Sequence, residues 1–175
     1  MEQTPSVTDL RRATPADAAA VADVFLASFR DAYPMFRATH TDEQVRGWIR
    51  DRVVAETECW VAVDDGTIVA MMALRPGWID HLYVAPHRQG EGIGRRLLEL
   101  ATVRARGPLE VWTFQLNERA RRFYGHNGFV EVELTDGAHN DEREPDVRLV
   151  WTPDVLSAHW ERWGDASGAE ANAVA

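Results

Sequence analysis

Three glycines at alternate positions, Gly90, Gly92 and Gly94, follow an apolar stretch that runs from Trp78 to Val84 and stops at Pro86. An amphipathic run, Ile93-Gly94-Arg95-Arg96-Leu97-Leu98, comes next. The pattern reads as strand, glycine-rich turn, helix. Glycine lets the backbone turn tightly and bring its N–H groups close to a ligand. The first turn of a helix adds unpaired N–H groups and a partial positive charge. Together these make an anion site, most often for phosphate. Arg88, Arg95 and Arg96 add full positive charge at the same place. A Walker A loop is excluded, because the chain has no lysine. A dinucleotide fingerprint, Gly-x-Gly-x-x-Gly, needs one residue more than the spacing here provides. What fits is Gln-x-x-Gly-x-Gly, from Gln89 to Gly94.

A second group of residues suits proton and hydrogen-bond chemistry. Leu109 to Thr113 alternates as a strand, and Asn117 then stands where a helix N-cap is wanted. Ala120, Phe123 and Tyr124 share one face of that helix, which Asn127-Gly128 closes. Tyr124 is either a hydrogen-bond donor in a site or a ring packed with Phe123. Asn117 caps its helix, with or without a ligand contact. Asp80 and His81 are adjacent on the strand before the glycine loop, so alternation lets only one face a given side. His81 has the more suitable unperturbed pKa for a base. Glu142, Arg143, Glu144 and Asp146 lie in a polar loop, as a selector of the second substrate or as a solvated face.

These segments resemble a known family. Leu82-Tyr83-Val84-x-Pro86, the Gln89–Gly94 pattern, and Asn117-x-x-Ala120-x-x-Phe123-Tyr124-x-x-x-Gly128-Phe129 are similar to the coenzyme A site of the GCN5-related N-acetyltransferases, the GNAT superfamily. The likeness spans about residues 8–151 and is of motif quality over 78–130. It implies an α/β fold with a mixed sheet, splayed central parallel strands and about four flanking helices. It implies acetyl-CoA as co-substrate, no metal, and transfer of the acetyl group to a primary amine by direct attack in a ternary complex. Backbone groups of Leu82, Tyr83 and Val84 would then serve the pantetheine amides and the thioester oxygen. Arg88, Gln89, Gly90, Gly92, Ile93, Gly94 and Arg95 would hold the pyrophosphate, largely through main-chain N–H groups. Asn117 would meet the pantetheine arm, and the Tyr124 hydroxyl would lie by the coenzyme sulfur. An acid near the start of this strand, acting through water in many members, favours Asp80 as the general base. In this family the region corresponding to Tyr33–His40 helps to cover the acceptor, so this segment is either a pocket wall or a hydrophobic loop plug. A non-catalytic acyl-CoA-binding sensor is the alternative from another class, and the presence of both Asn117 and Tyr124 argues against it.

The elements that must position these groups are also legible. A short strand is predicted over 7–12. A helix starts at Thr14-Pro15-Ala16-Asp17 and repeats Val21, Phe25, Phe29 and Ala32 until Pro34. A second helix starts at Thr41, with Gln44 completing a capping box. Strands 59–63 and 67–74 are joined through Asp64-Asp65-Gly66, a hairpin signal. Strand 78–84, a helix from about 92 to 106, strand 109–113, helix 117–127, strand 128–134 and strand 147–151 follow. Strands 78–84 and 109–113, linked by a helix, should be parallel.

Composition sets the outer limits. With 175 residues, 45% of them hydrophobic, the chain is long enough for one core-bearing domain over 7–151. Residues 1–6 and 164–175 read as disordered, and 152–163 as an extension between core and tail. A lone Cys59 in an apolar strand excludes an internal disulfide and reads as buried. Trp48, Trp60, Trp112 and Trp151 fall at core-like positions, while Trp78 faces either the core or an acceptor pocket. A net charge of −9 disfavours nucleic acid and anionic membrane and suits a cationic small-molecule or peptide amine, although solubility alone accounts for such a charge. No signal-peptide layout or membrane-length run is seen, so a cytoplasmic protein is expected, with a homodimer one possible assembly.

Overall fold

The computed structural model describes residues 8–36 and 39–153. The predicted disorder at 1–6 and 164–175 and the extension from 154 onward lie outside the described residues. The chain starts with β1 (Asp9–Arg12) and a single 3-10 turn at Pro15–Asp17 that leads into α1 (Ala18–Ala32). The Thr14 capping box forms: the Asp17 carboxylate accepts from the Thr14 backbone N–H at 2.7 Å. The second box forms as well, and α2 (Asp42–Trp48) begins with the Thr41 hydroxyl accepting from Gln44 N. The helix then widens into π-type turns over Ile49–Val54, which bury Ile49 and Val53.

β2 (Glu58–Asp64) and β3 (Thr67–Arg75) form the expected hairpin. Asp65 and Gly66 both take positive φ, 45° and 75°, as a two-residue primed turn requires. β4 (Trp78–Val84), α3 (Ile93–Arg104), β5 (Leu109–Phe114), α4 (Glu118–His126), β6 (Val130–Leu134) and β7 (Asp146–Trp151) complete the chain. One seven-stranded sheet results, in the order β1-β2-β3-β4-β5-β7-β6, antiparallel except where β4 meets β5.

Helices cover both faces. On one face Ile93, Leu97, Leu98 and Tyr124 pack with Met72, Leu74, Ile79 and Val111. On the other Val21, Val24, Ile49 and Val53 pack with Val61, Met71 and Ala73. β3 is therefore buried from Ile68 to Leu74 without a break, which is why its sequence is an unbroken apolar run.

Two irregularities position the site. β4 and β5 are paired only at Trp78–Glu110, after which they separate. β4 also carries a bulge: Ala73 pairs with His81 but Leu74 with Ile79, leaving Asp80 as the extra residue. The bulge breaks the alternation assumed from sequence. Ile79 and Leu82 pack on the α3 face, whereas His81 and Tyr83 lie against α1.

Candidate active site

The gap between β4 and β5 exposes backbone groups that a continuous sheet would consume. Ala85 N–H donates to Val69 O on β3, so the Val84 carbonyl points the other way. By alternation the Val84 N–H and both groups of Leu82 also point toward β5, where no paired strand meets them. Tyr83 turns its own backbone toward β3, and only its side chain is available to the site. This corrects the expectation of three backbone contributors at 82–84. The Val84 carbonyl accepts from Ser28 Oγ and from Gln89 Nε2, each at 2.9 Å. Gln89 thus locks the strand end to the loop, a job its side chain does beside any ligand contact.

The loop has the form expected of an anion site. Gly90 and Gly92 adopt φ of 86° and 79°, and open space surrounds the position of a Cβ at either. Gly92 is the N-cap of α3, so the free N–H groups of that helix face the loop. Ile93 is buried in the core and offers only its backbone. Gly94 differs from the other two: a Cβ there would make ordinary contact with Phe123 of α4 and Val84 of β4 at 3.5 Å. The arginines depart from expectation. Arg88 is held by Asp64 at 2.5 Å and by Glu91 at 2.8 Å, and Arg95 pairs with Glu99. Their charge is largely spent within the fold, and Arg88 braces the loop on the β2–β3 hairpin.

At the other end of the gap lies a cavity of about 700 Å³. The sequence motifs converge on it: Asp80, His81, Leu82, Tyr83, Asn117 and Tyr124 all line it, with Tyr33, Phe36, Thr39 and His40 from one loop and Asn140, Asp141, Glu142 and Asp146 from another. Both Asp80 and His81 border the cavity, because the bulge frees them from strict alternation. Asp80 is clamped by the Arg75 guanidinium through two hydrogen bonds and also faces a smaller recess with Trp78 and Trp112. His81 makes no hydrogen bond among the described residues. It is enclosed by Phe25, Trp48 and Tyr83, and burial lowers its pKa to about 4, so the imidazole is neutral at pH 7.

Tyr124 is 5% exposed. Its ring packs with Phe123 and Phe129, and its hydroxyl makes no hydrogen bond among the described residues. No buried side-chain N or O among them is left unpartnered, so this hydroxyl reaches into the cavity. Burial raises its pKa, which keeps the proton on. Asn117 does two things at once. Its Oδ1 accepts from Ala120 N at 3.0 Å, capping α4, and its Nδ2 donates to the Tyr33 hydroxyl at 2.6 Å. Tyr33 is expected from sequence only as part of the Tyr33–His40 cover, and its bond to Asn117 is a role the sequence did not single out. The signal was the aromatic spacing Phe25, Phe29, Tyr33 down α1, which reads equally as a core stripe.

The acidic loop is built rather than merely solvated. Asn140 bonds Glu144 N, Glu144 O and the Asp146 carboxylate, while Gln115 Nε2 donates to Thr135 O and Asp146 O. Glu142 and Asp146 face the cavity; Arg143 and Glu144 do not line it. Trp48 and Trp112, expected in the core, are 38% and 39% exposed. Trp48 is instead part of the cavity wall. Cys59 is buried as expected, and its thiol is pushed up to about 11.

A sequence profile described as "Acetyltransferase (GNAT) domain" matches residues 55–131, the stretch that holds β2–β5, the glycine loop and α4. An uncharacterized N-acetyltransferase of Archaeoglobus fulgidus is 39% identical over 79 residues, which cover 37% of this chain and 54% of that protein; the chain thus spans about half the length of the curated relative it matches. Among solved structures, apo YjaB of Escherichia coli superposes with a TM-score of 0.70 at 24% identity, covering 83% of this chain and 97% of that one. The yncA protein of Salmonella typhimurium, solved with acetyl-CoA, superposes with a TM-score of 0.65 at 18% identity, covering 97% and 100%. Over residues 55–131, where the strands part beside a glycine loop, the chain is thus similar to the GNAT acetyltransferase domain, and its fold is shared with these solved structures.

Proposed function

We propose that the chain transfers the acetyl group of acetyl-CoA to a primary amine by direct attack, both substrates being bound together. The observation that carries this reading is the continuity of the site: the N–H groups at the start of α3, the backbone groups of Leu82 and the N–H of Val84, and the Tyr124 hydroxyl, which has no partner among the described residues, lie along one path from the loop to the cavity. That path fits the pyrophosphate, the pantetheine amides and the thioester in turn. Acetyl-CoA supplies an activated acyl carbon and a thiolate leaving group.

The protein's own groups divide the work. Backbone N–H at the parted strand stabilises the developing oxyanion. The phenol of Tyr124 stays protonated and donates a hydrogen bond to the sulfur as the C–S bond breaks. The Asn117–Tyr33 bond fixes α4 and α1 on either side of the reacting centre. An imidazole of pKa about 4 does not strip an ammonium whose pKa is about 10. The amine therefore reacts in its neutral form, and a water beside Asp80 takes the proton released as the C–N bond forms and passes it on toward the leaving thiolate. A sensor that only bound the coenzyme would have no use for an unpartnered phenol beside the sulfur.

The test is thiol release from acetyl-CoA over a panel of primary amines, with calorimetric titration of coenzyme A alongside. Amine-dependent release and saturable coenzyme binding are expected. Coenzyme binding with no release across the panel would leave the sensor reading in its place.

A further inference from the structure

The wall of the cavity opposite the glycine loop is aromatic from end to end. Trp48 meets Phe25 and His81 with ring centroids 5.6 and 5.2 Å away, and Phe25 meets Tyr83 at 5.0 Å and Phe29 at 5.9 Å. Phe29 continues to Tyr33 at 4.9 Å, Tyr33 stacks on Phe36 at 5.1 Å, and both stand edge-on to Phe114. The chain of rings thus runs from α2 across α1 to β5. His81 within it is neutral, and the charged side chains of α1 and α2 that line the cavity, Arg30 and Asp42, are paired with each other.

The 140–146 loop adds acids to the lining. Asp141 and Glu142 line the cavity, and neither is ion-paired among the described residues. Glu142 is half-buried and lines the same cavity as Tyr33 and Tyr83. The arginine that lines the cavity among the described residues, Arg30, is ion-paired with Asp42. A ring seated on such a wall gains edge and face contacts, and a cation beside it gains attraction from the ring faces and the acids. A carboxylate on the acceptor would meet Glu142 and be repelled.

Resting on the acetyl-transfer reading, we infer that the acceptor is a small arylalkylamine: an aromatic body held by Phe25, Phe29, Trp48 and Phe36, and a primary amine directed past Glu142 to the reacting centre without an adjacent carboxylate. Transfer from the neutral amine forms the amide C–N bond and breaks the thioester C–S bond, and the proton lost from nitrogen ends on the coenzyme sulfur as the free thiol.

The probes are 2-phenylethylamine, propylamine and L-phenylalanine, each assayed for thiol release at fixed acetyl-CoA. The expected result is a kcat/KM for 2-phenylethylamine at least about tenfold above both others, in line with the gain from a filled aromatic pocket. Glu142→Gln should raise the KM for 2-phenylethylamine more than it lowers kcat. Propylamine or L-phenylalanine matching 2-phenylethylamine would overturn the inference. If acetyl-CoA binds but no amine is turned over, acetyl transfer is the reading that fails. Calorimetry with coenzyme A present then decides the inference: saturable binding of 2-phenylethylamine, tighter than propylamine, supports it, and no binding refutes it.

Discussion

Tyr124 carries a phenol into an apolar surround and leaves its oxygen facing the cavity without a partner among the described residues. Removing only that oxygen isolates its contribution. Tyr124→Phe should lower turnover by about ten- to several-hundred-fold, the range for losing one positioned donor, with coenzyme affinity nearly kept. Single-turnover acetyl transfer beside a coenzyme titration measures both. His81 gives a second prediction, in stability. Its pKa is about 4 in the folded chain against 6.5 for the free side chain. Below pH 6.5 the unfolded chain binds a proton that the folded chain refuses, so stability is full above 6.5 and is lost as pH falls toward 4. With the cavity admitting water, the loss is roughly 1–3 kcal/mol. Urea unfolding at pH 7.5 and pH 5 should show a larger drop in the parent than in His81→Gln; equal drops would mean that His81 is not the group responsible.

Among the elements, the glycine loop divides into two kinds of glycine. Gly92 sits at φ 79° and caps α3, whereas Gly94 lies within the first turn with ordinary contact distances around its missing Cβ. Gly92→Ala should cost about 1–2 kcal/mol through its left-handed backbone, and Gly94→Ala should fold with stability close to the parent. Denaturant midpoints of the two variants decide this, and the reverse order would show that the packing of α3 on Phe123 is tighter than the geometry implies. The strand and helix limits were readable because punctuation sits at nearly every boundary: Pro34, Asp65-Gly66, Pro86, Gly107-Pro108 and Asn127-Gly128. The bulge at Asp80 was not readable, since it exists only in the pairing of β4 with β3. Nor were the partners of Arg88, because Asp64 is 24 positions away in the chain and reaches it only across the folded hairpin. Asn117 and Tyr33 are 84 positions apart, and a local pattern can name either residue but not their bond.

At the scale of the molecule, β1–β4 and β5–β7 are two half-sheets joined along their shared line by one residue pair, with α3 and α4 packed beneath both. A ligand lying in the gap binds the folded chain alone. At a hundred times its dissociation constant, coenzyme A should stabilise the fold by about 2.7 kcal/mol and raise Tm by roughly 5–11 °C, read by differential scanning calorimetry. No shift at saturating coenzyme would mean that the gap is not its seat. The gap has a further cost to the free protein. An intact sheet has two edges, and this one has four, because β4 and β5 each present unpaired N–H and C=O groups in the middle of the fold. Outer edges are commonly guarded by charge, by proline or by a short strand. The inner two have no such guard that ligand binding would tolerate. On the proposed reading, an extended peptide would compete for that row of groups while the gap is empty, and the co-substrate would also be the gatekeeper that keeps the sheet from pairing with a stranger.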